Sequence, residues 1–188
     1  MTHKLAALAI VLLVGIVLTR TAILRRRGIV ATKFGAIDKT DFLIPPFALF
    51  YFYLIFASAL HSPSLALPLL FTSAVVAWAG VGLCAAGLGL MAATLVAFGS
   101  SFRIGIDMER PDSLVTTGLF AYSRNPMYVA FTMVLSGQFL VLPTWLFLLY
   151  LFAFVALFHR QVLREEVYLA SHYGNEYQAY RKRVRRYI

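Results

Sequence analysis

Long uninterrupted runs of apolar residues constrain this chain more than any other feature. The first, LAALAIVLLVGIVLTRTAIL, covers Leu5–Leu24 and contains one charged residue, Arg20, near its end. About 20 apolar residues suffice for a helix to cross the hydrocarbon core of a membrane. The chain of 188 residues is 61% hydrophobic and 13% charged, whereas soluble domains carry about 25% charged residues. We therefore predict an all-α, polytopic integral membrane protein that forms a single domain over residues 1–188.

Five apolar segments are predicted to span the membrane. Pro45 and Pro46 fall in the first turn of the second segment, where a missing amide donor costs least. The third segment is too long for one straight crossing, which predicts a tilted or broken helix. The last two are short and flank Pro143, which predicts a helical hairpin packed against the other helices. The predicted spans are residues 5–24, 42–60, 67–98, 127–142 and 145–158.

The third segment is rich in small residues, which allow helices in membranes to approach closely. One predicted face, formed by Ala85, Gly89 and Ala93 at four-residue spacing, serves either internal packing or a dimer. The single cysteine, Cys84, is predicted to be a packing residue. The glycines expected to permit close approach are Gly80, Gly82, Gly87 and Gly89.

The basic residues are distributed unequally between the two sides of the predicted spans. Sixteen Lys and Arg residues fall on one side and only Lys4 on the other, and every Asp and Glu lies on the basic side. The excess of cations predicts that this side is cytoplasmic and that the N-terminus is outside. Because the basic residues flank apolar spans, we expect anionic lipid head groups rather than nucleic acid as their counter-charge.

Two polar segments on the basic side are the candidates for chemistry. The first is the cytoplasmic loop at residues 99–126, and a loop of that length is more often functional than a plain connector. The second, residues 159–188, is predicted to continue the fifth helix through Glu165 and Glu166 as far as a C-cap at Gly174. A further short helix follows. The four histidines form no metal-binding spacing, so no metal site is predicted.

Each polar motif also has a purely structural interpretation. Arg124 is a membrane anchor, and Asn125-Pro126 is a helix start, since Pro suits the first helical position. On the same interpretation, Glu165 and Glu166 form a solvated face that pairs with Arg160 or Arg164. The terminal sequence RKRVRR is then a basic stripe that faces lipid head groups.

The order and spacing of several motifs resemble the isoprenylcysteine carboxyl methyltransferase family. That family includes small prokaryotic members and lies close to the phospholipid methyltransferases. The resemblance covers about the last ninety residues. It is carried by GSSF at residues 99–102, LVTTGLF at 114–120, RNPMY at 124–128, EE at 165–166, YGNEY at 173–177 and the basic stretch at 180–184.

The resemblance implies an S-adenosylmethionine-dependent methyltransferase in a bacterial or archaeal plasma membrane. The cofactor, whose product is S-adenosylhomocysteine, would occupy a cytoplasmic pocket closed by the loop after the third span and the C-terminal helices. A lipophilic acceptor would enter from the bilayer. Arg124 and Glu165 would be catalytic, and Gln161 and Arg124 would contact the acceptor. The implied cofactor contacts are Asp112, Ser113, Leu114, Val115, Phe120, Asn125, Pro126, Met127, Tyr128 and Glu165.

Three positions depart from the family pattern. Asn125 replaces the usual His, which keeps a hydrogen-bonding edge but puts proton transfer there in doubt. Phe120 replaces a Tyr, and Gln161 stands where some members have an Arg that contacts prenylcysteine. The oligomeric state stays open.

The residue types suit this chemistry. Aromatic and apolar residues such as Phe120, Tyr128 and Leu114 suit an adenine. Glu165 suits a ribose diol or an ammonium group, and Arg124 suits a carboxylate. A carboxylate acceptor is already a nucleophile at pH 7 and needs no base, so a prenylcysteine carboxylate is the favoured acceptor. A phospholipid amine and a thiol stay open.

Two other classes are kept as alternatives. An NADPH-dependent membrane reductase has a C-terminal region of similar style, but such chains are typically longer and have more spans. A non-enzymatic membrane scaffold predicts that residues 99–128 and 159–188 tolerate changes from polar residues to Ala.

Overall fold

The computed structural model describes residues 1–26, 44–60, 68–98 and 114–188, except for the side chains of residues 44–47. By length and composition the helices Thr2–Arg26, Ala74–Phe98 and Trp145–Arg183 are each able to cross a membrane, while two other apolar helices are shorter. The all-α, polytopic prediction is confirmed. The named elements are α1 (Thr2–Arg26), α2 (Ile44–Ala59), α3 (Ala74–Phe98), a 3-10 turn (Gly118–Ala121), α4 (Pro126–Val141) and α5 (Trp145–Arg183).

The helix starts follow from local chemistry. Pro126 is the first residue of α4, so its missing amide hydrogen costs no helical bond. Thr144 caps α5, since its side-chain oxygen accepts a hydrogen bond from the backbone N–H of Phe147 at 3.3 Å. Pro45 and Pro46 lie in the first turn of α2, as predicted.

The third span begins later than predicted. Its helix starts at Ala74 rather than at residue 67, after Ser73, whose side chain accepts from the Val76 N–H at 3.4 Å. Residues 68–73 are not helical. The Leu70 N–H instead donates to the Pro143 carbonyl at 2.7 Å, which ties this segment to the turn between α4 and α5. The remaining 25-residue helix is about 37 Å long, enough for one crossing.

Helices α3 and α4 pack backbone against backbone at buried glycines. A Cβ added at Gly137 would lie 2.5 Å from the Gly80 carbonyl oxygen and 2.7 Å from Cys84 Sγ, and one at Gly80 would lie 2.6 Å from the Gly137 oxygen. Gly87 meets Val134 in the same way. Close approach through Gly80 and Gly87 was therefore predicted correctly, and Cys84 is buried in this contact.

The other predicted small-residue positions do not take part in this packing. An added Cβ at Gly82 or Gly89 would meet nothing within 4 Å. Ala85, Gly89 and Ala93 are exposed on α3. Of the two roles predicted for that face, internal packing is not observed among the described residues, because the glycine partner on α4 selects the opposite side of the helix, and a dimer contact stays a prediction.

A buried polar link joins the first two helices to α4. The Tyr51 hydroxyl donates to Gln138 Oε1, and Gln138 Nε2 donates to the Ala6 carbonyl at 3.3 Å. Gln138 is fully buried. Since a buried amide without partners is costly in an apolar surrounding, this network fixes the register of the three helices.

Helix α5 extends well beyond its apolar part. At 1.5 Å per residue, Glu165 lies about 30 Å from Trp145 along the axis, which equals the thickness of a hydrocarbon core. Gly174 interrupts the helix with φ +51°, a conformation that glycine adopts without steric cost. The predicted break at Gly174 is confirmed, and the following turns bury Tyr177 and Tyr180.

Candidate functional site

The predicted site residues lie on three elements close to the start of α4. Leu114 and Val115 are partly buried ahead of the 3-10 turn that carries Phe120, and residues 125–128 open α4. Gln161 and Glu165 lie one turn apart on α5. Asp112 and Ser113 fall outside the described residues.

An arginine–glutamate cluster connects these elements. Glu166 Oε1 lies 2.9 Å from Arg124 Nη1, and both side chains are only 8% exposed. Arg186 donates to both carboxylate oxygens of Glu166, at 3.0 and 2.9 Å. Arg124 Nη1 also donates to the Tyr177 hydroxyl at 3.3 Å. We call Arg124, Glu166, Arg186 and Tyr177 the arginine–glutamate cluster.

This cluster replaces the solvated face that the structural interpretation of the glutamates predicts. Glu166 is buried and binds Arg124 and Arg186 rather than standing in water. A buried carboxylate requires such partners, because an unpaired charge in a low-dielectric surrounding is strongly unfavourable. Arg186 therefore has a structural contact and is not simply part of a lipid-facing stripe.

The C-terminal segment, residues 184–188, is held against the start of α4. The Arg124 N–H donates to the Arg185 carbonyl at 2.9 Å, and Asn125 Nδ2 donates to the Arg186 carbonyl at 3.0 Å. Ser123 and Arg185 form an isolated parallel bridge. The side-chain amide of Asn125 thus anchors the C-terminal segment, at a position where the isoprenylcysteine carboxyl methyltransferases have His.

Glu165 lies in a second, smaller polar group. Its Oε1 accepts hydrogen bonds from the Tyr128 hydroxyl at 2.7 Å and from Gln161 Nε2 at 3.2 Å. Burial raises the pKa of Glu165, and the hydrogen bonds from Tyr128 and Gln161 lower it in part. The described bonds all fall on Oε1, which leaves Oε2 for a ligand. We call Glu165, Tyr128 and Gln161 the Glu165 group.

The 3-10 turn is anchored by packing and by one hydrogen bond. The Phe120 ring is 4% exposed and meets the Phe98 ring edge-on, with 4.5 Å between the centroids. The Tyr180 hydroxyl donates to the Phe120 carbonyl at 2.7 Å. Because burial raises the pKa of Tyr180 to about 12, this donor keeps its proton at neutral pH. The turn is thereby tied to α3 and to the end of α5.

A cavity of about 460 Å³ adjoins the Glu165 group. Its walls come from α3, α4, α5 and the C-terminal segment, and they are mostly apolar. We call the end at which Tyr128 borders both the cavity and Glu165 the polar end of the cavity. Ligand pockets typically measure about 300–1,000 Å³. The lining residues are Leu83, Tyr128, Val129, Thr132, Met133, Ser136, Val155, Phe158, His159, Tyr187 and Ile188.

An apolar cavity beside paired carboxylates and arginines suits a reaction between a polar cofactor and an apolar acceptor. A sequence profile of the phospholipid methyltransferase family matches residues 75–176, which is more than half of the chain. The chain belongs to this family. The match begins in α3, so the family resemblance reaches further upstream than the motifs alone indicate.

The chain is also similar to an enzyme whose name gives its substrate. The protein-S-isoprenylcysteine O-methyltransferase of Schizosaccharomyces pombe is 33% identical over 135 residues, which cover 68% of this chain and 54% of the yeast protein. The chain thus spans about half the length of the curated relative that it matches. The resemblance to the isoprenylcysteine carboxyl methyltransferases is confirmed.

The described residues fit the methyl donor of such an enzyme. Arg124 Nε is buried and has no hydrogen-bond partner among the described residues, so it is a candidate donor to a carboxylate. Glu165 Oε2 is a candidate acceptor for an ammonium group or a ribose diol. Tyr128 donates to Glu165, and its ring, like the apolar side chains of Leu114 and Val115, is of a type that suits an adenine.

Sequence reasoning missed several residues of this site. Glu166 entered only as a motif residue and as part of a solvated face, Tyr177 only as a motif residue and Arg186 only as part of the basic stripe. His159 and Tyr187 were given no role. The sequence offers one signal for the buried tyrosines. Tyr177 and Tyr180 are three residues apart and therefore lie on one face of the final helical turns. The contact of Arg186 with Glu166 spans 20 residues and carries no local signature.

Proposed function

We propose that this protein is an S-adenosylmethionine-dependent methyltransferase of one membrane domain that acts on a lipophilic acceptor. The observation that carries the proposal is the Glu165 group, a partly buried carboxylate with an available oxygen, at the polar end of an apolar cavity. Family membership and the similarity to the yeast prenylcysteine enzyme support it. By the distribution of basic residues, we place the site at the cytoplasmic surface.

In this proposal Glu165 holds the polar part of the cofactor and Tyr128 separates cofactor from acceptor. Tyr128 donates to Glu165 and also lines the cavity. Gln161, which donates to Glu165 at 3.2 Å, orients that carboxylate and lies on the acceptor side. Arg124 offers its unpaired Nε to a carboxylate of the cofactor or the acceptor. The further proposed cofactor contacts are Asp112, Ser113, Leu114, Val115, Phe120, Asn125, Pro126 and Met127.

The acceptor that we favour is the carboxylate of a prenylcysteine-like molecule. When bound, S-adenosylmethionine supplies an electrophilic methyl group, which a carboxylate oxygen takes up as the methyl–sulfur bond breaks and a neutral thioether leaves. No proton is transferred, so no general base is needed. The protein contributes alignment and exclusion of water. Thiol and phospholipid amine acceptors would each require deprotonation.

Isothermal titration of the purified full chain in detergent with S-adenosylhomocysteine tests the cofactor. We expect saturable binding, and NADPH, titrated by fluorescence, should not bind. Transfer of a tritiated methyl group to a membrane lipid extract or to prenylcysteine analogues then identifies the acceptor. Absence of S-adenosylhomocysteine binding in a folded preparation would refute the proposal, and NADPH binding would favour a reductase.

A further inference from the structure

The cavity beside the Glu165 group has a hydrogen-bonded pair at its polar end. His159 Nδ1 lies 2.9 Å from the Tyr187 hydroxyl, and both side chains line the cavity. We propose that His159, oriented by Tyr187, positions the anionic head group of the lipophilic acceptor. This inference rests on the proposed function and adds a specificity-determining residue to it.

The partners of the other polar groups in the cavity single out His159. The Thr132 hydroxyl donates to the Tyr128 carbonyl within α4 at 2.9 Å. The Tyr128 hydroxyl donates to Glu165. Ser136 lies about 12 Å from Tyr128 along α4, at the apolar depth of the cavity. His159 therefore supplies the ring nitrogen that is available at the polar end.

The contact with Tyr187 bears on which nitrogen of His159 carries the proton, because the hydroxyl either donates to Nδ1 or accepts from it. Burial raises the pKa of Tyr187, so its phenol keeps a proton to donate, and our proposal assigns the tautomer in which it donates to His159 Nδ1. In that tautomer the ring proton is on Nε2, which is then a hydrogen-bond donor. A donor at this position binds a carboxylate oxygen.

The charge around the cavity mouth favours the same head group. Arg160 follows His159 on α5, and the exposed Arg185 lies two residues before Tyr187 in the C-terminal segment, whereas the charge of Arg186 is paired with Glu166. An anionic head group is attracted to this surface, and an ammonium head group is repelled. Between His159 and Ser136 the apolar walls accommodate the chain of the acceptor, with Val155 and Phe158 on the α5 side.

The test compares two variants of the full chain with a matched control. His159→Gln removes the imidazole, and Tyr187→Phe removes the hydroxyl that orients it. His172→Gln is the control, because His172 is an exposed histidine on the same helix that stacks on Tyr168, with 5.8 Å between ring centroids, and does not line the cavity. The probe acceptor is a farnesylated cysteine with a free carboxylate, and its carboxamide serves as a competitor.

For His159→Gln we expect the KM for the farnesylated cysteine to rise about tenfold or more, as for loss of a hydrogen bond to a charged group. The affinity for S-adenosylhomocysteine should stay unchanged. Wild-type protein should bind the carboxylate in preference to the carboxamide, and His159→Gln should lose most of that preference. Tyr187→Phe should show a smaller rise in KM of the same kind.

A KM in His159→Gln that matches that of His172→Gln would overturn the inference. A preserved preference for the carboxylate would overturn it as well. Loss of S-adenosylhomocysteine binding in both His159 and Tyr187 variants would likewise count against it, since it would indicate a role in the fold. Failure of the wild-type chain to bind S-adenosylhomocysteine or to methylate any acceptor refutes the proposed function itself, and the inference fails with it.

Discussion

Replacing Glu166 by Gln should destabilise the protein without removing a cofactor contact. The substitution leaves the Arg124 guanidinium, whose side chain is 8% exposed, without its carboxylate. Removing one partner of a buried ion pair costs about 3–5 kcal/mol. Arg186 is 30% exposed and regains water, so we expect the lower end, about 3 kcal/mol. For a chain of this size that lowers the Tm by about 6–12 °C.

Thermal unfolding in one detergent measures this effect, and two other substitutions on α5 serve as comparisons. Glu176→Gln makes the same change at an exposed position, and its Tm should stay within about 1 °C of wild type. Glu165→Gln should leave the Tm unchanged or slightly higher, because it removes a carboxylate whose ionisation burial opposes. It should instead weaken S-adenosylhomocysteine binding by about tenfold or more, as expected for a lost charged hydrogen bond.

The reasoning fails if Glu166→Gln unfolds at the wild-type temperature, since the ion pairs would then contribute nothing. It also fails if Glu165→Gln and Glu166→Gln weaken cofactor binding equally at a temperature where both are folded. In that case the two adjacent carboxylates would not have the separate roles that their partners imply.

Three further outcomes are expected. Gly137→Ala should lower the Tm markedly, because the added Cβ would lie 2.5 Å from a backbone carbonyl oxygen on α3. Gly82→Ala should leave the Tm unchanged, because its Cβ would meet nothing within 4 Å. Equal Tm values for the two variants would contradict the contact between α3 and α4. The affinity for S-adenosylhomocysteine should be full above the raised pKa of Glu165 and should be lost as the pH falls through that pKa, which lies above the ordinary value of 4.5. Tyr128→Phe should move the midpoint of this titration to higher pH, because the hydrogen bond from Tyr128 lowers the pKa of Glu165. A midpoint at lower pH in Tyr128→Phe would contradict this assignment. Arg124→Lys should lower the rate of methyl transfer markedly and the Tm only slightly, since an ammonium group keeps the charge beside Glu166 but lacks Nε. An unchanged rate of methyl transfer would remove Arg124 from the site.

The presence of the helices could be predicted from the sequence, because an apolar run long enough to cross a membrane has few stable structures in lipid other than a helix. Proline and threonine at the starts of α4 and α5 also have local meaning, so those boundaries lie close to the predicted ones. The start of α3 was missed because Leu69, Leu70 and Phe71 extend the apolar run of the third segment. Their hydrogen bond to Pro143 is a tertiary contact, and periodicity carries no information about it.

The roles of the two glutamates could not be separated from sequence. Adjacent residues on a helix point about 100° apart, so Glu165 and Glu166 necessarily face different partners, but the assignment depends on how α4 lies against α5. Likewise, a four-residue spacing of small residues describes more than one face of α3. The face that packs is set by Gly137 on another helix, which a pattern within α3 cannot identify.

The first turn of α4 explains why these separate contacts form one site. Arg124 and Tyr128 are four residues apart and bind the adjacent glutamates of α5, Glu166 and Glu165 respectively. The two contacts fix α4 against α5 at the point where α5 leaves the hydrocarbon core. Tyr128 consequently lies between Glu165 and the apolar cavity. On the proposed function, this placement would let an acceptor chain held in lipid present its head group to a water-soluble cofactor.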